Sequence, residues 1–281
     1  MNCKMFAIAF LLTVVLHGAV VGGALTCSDM YDFVEIGTSN WNTLIQHCAA
    51  QPEPHLFKGI SMEPMEVYLN ALPDLPNAVK LHAAVVGTEA HQAVTDVYYV
   101  TEANITAHNL PYWLKGCNSV GAPHYTTQKY LKEYNLMHLM QVDTVPVRSV
   151  QSIFQEYGVC RLKMFKVDVE GMDVELLIGY VQFLWANLHC YADVIVYEYN
   201  ELTPKVDHDK AIVALESVGY TEALTSDMHN MEENRLLRYN PDDDVRLWHK
   251  TLRGSATRAP HCPAFEGNFG LQTSSVFNAC A

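Results

Sequence analysis

Five acidic residues stand where an apolar run ends and the chain turns. They are Glu35 in Phe33-Val34-Glu35-Ile36-Gly37-Thr38-Ser39-Asn40, Glu63 after a second apolar run, Asp168 and Glu170 in Phe165-Lys166-Val167-Asp168-Val169-Glu170-Gly171-Met172-Asp173, and Glu198 in Glu198-Tyr199-Asn200. A buried strand that ends in carboxylates costs free energy unless the charges meet a cation, a donor or water, so this edge should face a cleft. Gly37 lets the backbone turn tightly and lets a ligand approach where a side chain would collide. Glu63, 26 positions beyond Gly37, can accept both hydroxyls of a ribose, the logic that places an acid about 20 residues after a dinucleotide glycine loop. The pair favours an adenosine-type ligand, and the missing G-x-G-x-x-G run counts against NAD. Several acids on one edge also suit a cationic ligand or a divalent metal, with Asp168, Glu170 and Glu198 as candidate ligands.

The elements that must position these residues follow from hydrophobic periodicity. Apolar runs at 31–37, 57–62, 79–86, 162–169 and 194–197 read as strands. Helical spacing at 40–50, 65–72, 173–188 and 208–218 places a helix between or after them. That β-α-β rhythm predicts a doubly wound α/β fold with a mostly parallel sheet covered on both faces, finished by an antiparallel last strand at 235–239. The acids of the first and fourth strands then flank the topological switch point, where ligands bind. Asp173 reads as the N-cap of the long helix. The interval 88–158 breaks the rhythm and carries Tyr98, Tyr99, Tyr112, Trp113, Tyr125, Tyr130 and Tyr134. It reads as extra strands, a loop and a further βα unit whose aromatic faces are expected to wall the cleft.

Composition narrows the class. The 281 residues include 31 acidic and 18 basic side chains, a formal charge of -13, which argues against a nucleic-acid partner. With 49% hydrophobic and 17% charged residues the chain is globular rather than disordered. Residues 6–24 run without a charge behind Lys4 and end in Gly22, Gly23 and Ala24, so 1–24 reads as a signal peptide, or as a signal anchor if uncleaved. Membrane contact is then expected only through that segment, with the domain secreted or held on the non-cytoplasmic side. Residues 25–253 form the folded domain and 254–281 a tail, with Cys262 and Cys280 placed to tie it. No C-x-x-C pair indicates a zinc site. Asn104-Ile105-Thr106 is a glycosylation sequon suited to a surface loop.

The succession FVEIG, GISMEPMEVY, LHAAVVG, VRSVQSIFQEYGVCRLKMFKVDVEGMDVELLIGY and VIVYEYN resembles the FkbM-type family of S-adenosylmethionine-dependent methyltransferases. The resemblance implies a seven-stranded class I methyltransferase sheet, Rossmann-like. It places Glu35 and Gly37 under the methionine part of the cofactor, Glu63 on the ribose, and Ala84 and Val85 beside the adenine. Asp168, Glu170 and Gly171 would face the methyl group and the acceptor, a hydroxyl of a sugar or other small molecule. Trp41 stands where the first motif usually has its second glycine, leaving Thr38 or Asn40 to donate hydrogen bonds to the cofactor. That departure, together with a secretory segment on an enzyme whose methyl donor is cytosolic, keeps a catalytically inactive binding protein on the same fold as the alternative. For an active enzyme Asp168 is the first candidate base, followed by Glu170 and by His124 of the Gly121-Ala122-Pro123-His124 segment, and a divalent metal is the competing way to activate the acceptor.

Overall fold

Phe33-Val34-Glu35-Ile36 and Gly59-Ile60-Ser61-Met62-Glu63 are buried without a break, as central strands of a parallel sheet must be when both faces are covered. The computed structural model describes residues 30–40, 43–88, 92–187, 189–199, 204–222 and 234–240. The readings placed on segment 1–24, Trp41, Asn200, Cys262, Cys280 and the tail lie outside them. In chain order the elements are Met30–Ile36 (β1), Leu44–Ala49 (α1), Gly59–Glu63 (β2), Glu66–Ala71 (α2), Ala78–His82 (β3), Ala84–Val86 (β4), Val94–Val100 (β5), Glu102–Ala107 (α3), Ser119–Val120 (β6), Tyr125–Glu133 (α4), Met140–Ser149 (β7), Val150–Glu156 (α5), Arg161–Val167 (β8), Asp173–Ala186 (α6), Tyr191–Glu198 (β9), Lys205–Glu216 (α7), Tyr220–Glu222 (β10) and Asn234–Tyr239 (β11). Among the described residues, no helix is long and apolar enough to cross a membrane.

Seven strands form one sheet in the order β10-β11-β9-β8-β1-β2-β3. β1 lies between β2 and β8, and these three, with β3 and β9, run parallel. The last strand enters antiparallel between β9 and β10. The order therefore departs at this end from the 3-2-1-4-5-6 succession of a dinucleotide-binding sheet. Eleven residues separate β10 from β11, fewer than the dozen or more that a parallel crossover needs, so the returning strand pairs antiparallel.

The expected strand at 79–86 divides in two. β3 closes the edge of the large sheet, whereas β4 pairs parallel with β7 in a second sheet of order β4-β7-β5-β6. The cause is a backbone contact: a methyl group on Gly87 would overlap the Glu175 carbonyl, and one on Gly179 would overlap the Gly87 carbonyl. The chain leaves the edge of the large sheet to lie directly on α6. The first helix begins at Leu44 instead of residue 40, because Thr43 caps it in a reciprocal box with Gln46. Ser149 does the same for α5, which ends β7 at 149. The sequon is not in a loop: Asn104 sits within α3 and its amide donates to the Leu139 carbonyl at 3.3 Å.

Between the large sheet and α5, α6 and α7 lies a core built on Phe154, Phe165, Tyr180 and Phe183, with ring centroids 4.8–5.8 Å apart. Two tyrosines enter it because their hydroxyls are satisfied. The Ala192 amide donates to Tyr180 and Tyr220, and the Tyr220 hydroxyl donates to the Ala192 carbonyl. Gly179→Ala tests the α6–β4 contact. With backbone on both sides, nothing flexible can yield, and the variant should lose about 1–3 kcal/mol in urea unfolding. An unchanged midpoint would mean that α6 can slide without cost.

Candidate functional site

The chain leaves β1 toward β2 and leaves β8 toward β9, so the two strands part at their C-terminal ends. The Asp168 amide still donates to the Ile36 carbonyl at 3.0 Å, but the next amide on the other strand, Gly37, turns away to the Met62 carbonyl at 3.0 Å. Gly37 makes this turn at φ +78°, where a side chain would run into the Asp168 carbonyl. A cleft opens over this point. Gly37, Thr38, Ser39, Glu63, Lys166, Asp168 and Glu170 line one side, and Gly116, Asn118 and Val120 from the inserted region line the other. Its cavity volume is about 130 Å³.

Glu63 is 4% exposed. Its Oε2 accepts from the Ser39 amide at 2.6 Å and its Oε1 from the Met65 amide at 2.9 Å. Burial pushes its carboxyl up to about 7 despite these bonds. A carboxylate offers about four acceptor positions; these amides take two, and the Thr38 hydroxyl stands close enough to offer a third bond. Glu35 has a different use. It is wholly buried, its Oε2 accepts from the Leu44 amide at 2.9 Å, and Lys166 Nζ donates to its Oε1 at 3.0 Å. Lys166 also lies 3.7 Å from Asp168. Burial by itself would lower the Lys166 pKa, but the two carboxylates outweigh it and hold the ammonium above its ordinary value. Burial pulls Glu35 upward while Lys166 and the Leu44 amide pull it back, and two donors on one carboxylate fit the ion-paired form. Glu35 thus anchors the start of α1 and does not line the cleft.

Of the predicted residues, Gly37, Thr38, Glu63, Asp168 and Glu170 meet at the cleft. Asn40 sits beside it with a buried Oδ1 that has no partner among the described residues, as does the Ser39 hydroxyl. Ala84 and Val85 are elsewhere: Ala84 packs with Met65, Tyr68, Val97 and Val145, and Val85 joins the main core. His124 caps α4, with the Thr127 amide donating to Nδ1 at 3.5 Å, and burial lowers its pKa. In place of the expected aromatic wall stand Val97, Gly116 and Asn118–Val120, while Trp113 packs edge-on against Tyr130 and Tyr130 lies tilted against Tyr134. Glu198 does not line the cleft.

Two participants escape a reading by strand ends. Lys166 could have been noticed as a cation inside an apolar strand. Asp173 is not the cap of α6, which is Met172; it is the first helical residue, 1% exposed. Neither carboxylate oxygen finds a well-formed hydrogen bond among the described residues. Burial raises its pKa from 3.8 to about 7, Asp168 adds to the rise, and nearby backbone amides offset it only in part.

Both features make predictions for unfolding in urea. Lys166→Met strands a buried carboxylate and should cost about 3–5 kcal/mol, whereas Glu35→Gln/Lys166→Met should recover part of the loss. A double variant less stable than Lys166→Met would contradict the ion-pair account. For Asp173 the folded-state pKa is raised, so its stabilising contribution is complete below pH 3.8 and lost as pH rises to about 7. Asp173→Asn removes that loss. It should exceed the parent in stability at about pH 8, by up to about 4 kcal/mol, with the gap shrinking toward about pH 5. A gap that does not vary with pH would contradict the assignment.

No curated protein matches the chain in sequence. Among solved structures it is similar to the METTL16 MTase domain, at 10% identity and a TM-score of 0.34 over 85% of this chain and 68% of that one. It is also similar to the human methyltransferase 10 domain containing protein, at 10% identity and a TM-score of 0.28 over 85% of this chain and 82% of that one. The model of the methyltransferase FkbM domain matches residues 39–222. That match takes in β2 through β10, including Glu63, Lys166, Asp168 and Glu170, and the chain belongs to the FkbM methyltransferase family.

Proposed function

We propose that the protein uses S-adenosyl-L-methionine to methylate a hydroxyl of a sugar or other small acceptor. The observation that carries this reading is the gathering of Gly37, Glu63 and Asp168 around one cleft at the parting of β1 and β8. The residues fit such a cofactor. Gly37 offers bare backbone, Ser39 and Asn40 hold buried polar atoms with no partner among the described residues, and Glu63 keeps acceptor capacity for a ribose hydroxyl. When bound, the cofactor supplies a methyl group on a positively charged sulfur. An acid-lined cleft in a chain of net charge -13 suits that charge.

The chain's own residues bind, orient and move a proton. Gly37, Thr38 and Asn40 hold the methionine part, and Glu63 fixes the ribose. The strip Gly116–Val120 faces Asp168 and Glu170 across the cleft and holds the acceptor between them. The Asp168 carboxylate is the group that would take the proton of the acceptor hydroxyl, with Glu170 or His124 behind it. Orientation accounts for most of the acceleration, and the base adds about 10²–10⁴-fold.

The expected secretory location belongs to this proposal. Cys160 is disulfide-bonded, which suits an oxidising compartment. A glycan acceptor would be met there, and the methyl donor would have to be imported.

Calorimetry with S-adenosylhomocysteine tests the cofactor assignment. Glu63→Ala should weaken binding about 10–100-fold, the loss of one or two hydrogen bonds to a charged group. Because the ionised carboxylate accepts a hydroxyl more strongly than the neutral acid, affinity should fall as pH drops through about 7. Asp168→Asn should retain binding and lose about 10²–10⁴-fold in rate; an unimpaired rate would remove Asp168 as the base. Binding of NAD in place of S-adenosylhomocysteine would overturn the reading.

A further inference from the structure

At the cleft lies a group of side chains of which the methyl-transfer reading leaves Cys117 unused and keeps His124 and Glu170 only behind Asp168. Cys117 follows the short helical turn Tyr112–Lys115, His124 caps α4, and Glu170 ends the turn after β8. Their sulfur, imidazole nitrogen and carboxylate oxygen lie within 4.8 Å of one another. Cys117 is 5% exposed and not disulfide-bonded. His124 is 8% exposed, and its Nε2 is buried with no hydrogen-bond partner among the described residues. Glu170 is held in the left-handed region at φ +50°, a conformation that costs a non-glycine residue free energy and persists where the surroundings enforce it.

We propose that Cys117, His124 and Glu170 bind a zinc ion whose fourth coordination position opens into the cleft. The donor set selects the metal. Magnesium and calcium take six or more oxygen ligands, whereas one thiolate, one imidazole and one carboxylate suit zinc. Three protein ligands with an open fourth position form a site that can bind a reacting oxygen, unlike a closed structural site. The charge balances, since a thiolate and a carboxylate neutralise a dication. Tetrahedral zinc places its ligand atoms about 3.3–3.6 Å apart, so the three side chains need only a small inward shift. Ligation through Nε2 moves the imidazole proton to Nδ1 and gives up the contact from the Thr127 amide, which at 3.5 Å is at the outer limit of a hydrogen bond. Gly116, Asn118 and Val169, chain neighbours of two of the ligands, line the cleft, so the open position faces the acceptor. A second group, Cys160, His189 and Cys190, also brings three ligand atoms together, but Cys160 is disulfide-bonded and offers no thiolate.

The ion binds whatever the reaction, and its role in lowering the pKa of the acceptor hydroxyl rests on the methyl-transfer reading. The test uses the full chain stripped of metal by a chelator, then titrated with zinc and, for spectroscopy, with cobalt. The expected result is one zinc per chain, and a sulfur-to-cobalt charge-transfer band that Cys117→Ser abolishes while S-adenosylhomocysteine binding persists as a check of folding. His124→Ala and Glu170→Gln should each weaken zinc binding at least about 10–100-fold, the loss that even an outer-shell partner causes. No stoichiometric zinc, or zinc binding unchanged in all three variants, overturns the proposal. Zinc binding without S-adenosylhomocysteine binding would uphold the metal site and sink the methyl-transfer reading, and the reverse result would do the opposite.

Discussion

The contact between β1 and β8 at Gly37 and Asp168 is the constraint on which the site depends. Two parallel strands part there, and the backbone of one presses on the carbonyl of the other with no room for a side chain. Two residues behind the parting, Lys166 bridges the strands through Glu35 and reaches toward Asp168. Such a pair gains little net free energy over apolar residues of the same shape, because removing both charges from water costs nearly what their attraction returns. What it determines is placement. Glu35 receives the first amide of α1, and Lys166 stands behind the carboxylate assigned to the proton, so the helix start and the candidate base refer to the same ion pair.

A second constraint seats the inserted region. Gly87 and Gly179 bring the backbone of the chain after β4 onto α6, drawing β4 away from β3 and toward β7. The four-stranded sheet thereby stands beside the C-terminal edge of the large one, and Gly116 to Val120 close the cleft. The aromatic residues of this region serve packing: Trp113, Tyr130 and Tyr134 hold the inserted helix in place while small and polar residues face the ligand space. That side of the cleft combines Gly116, Asn118 and Ser119 with Val97 and Val120, so it presents both polar and apolar surface.

Buried acids are distributed by environment. Glu63 and Asp173 are both raised toward neutrality, Glu63 with backbone donors on each oxygen and Asp173 without a well-formed one. Glu63 faces the cleft and can recover its charge when hydroxyl donors arrive. Asp173 is shut in beneath Asp168, where it adds to the negative field of the site at a cost in stability near neutral pH.

Much of this was legible along the chain. Largely apolar runs ending in acids identified β1, β2, β8 and β9 and the edge on which Gly37, Glu63, Asp168 and Glu170 gather, because a parallel strand covered on both faces must be mostly apolar and its polar residues collect where it surfaces. The antiparallel finish was equally visible in the pattern at 235–239. Tertiary structure alone decided that the run at 79–86 breaks in two, that Glu35 turns to Lys166 and α1 instead of the ligand, that Ala84 and Val85 are spent on packing, and that Asp173 lies inside its helix start. It also brought Cys117, His124 and Glu170 together from two sides of the cleft. Periodicity reports which residues avoid water. Which buried partner each of them meets depends on distances between segments far apart in sequence, and those are set only when the two sheets and α6 pack.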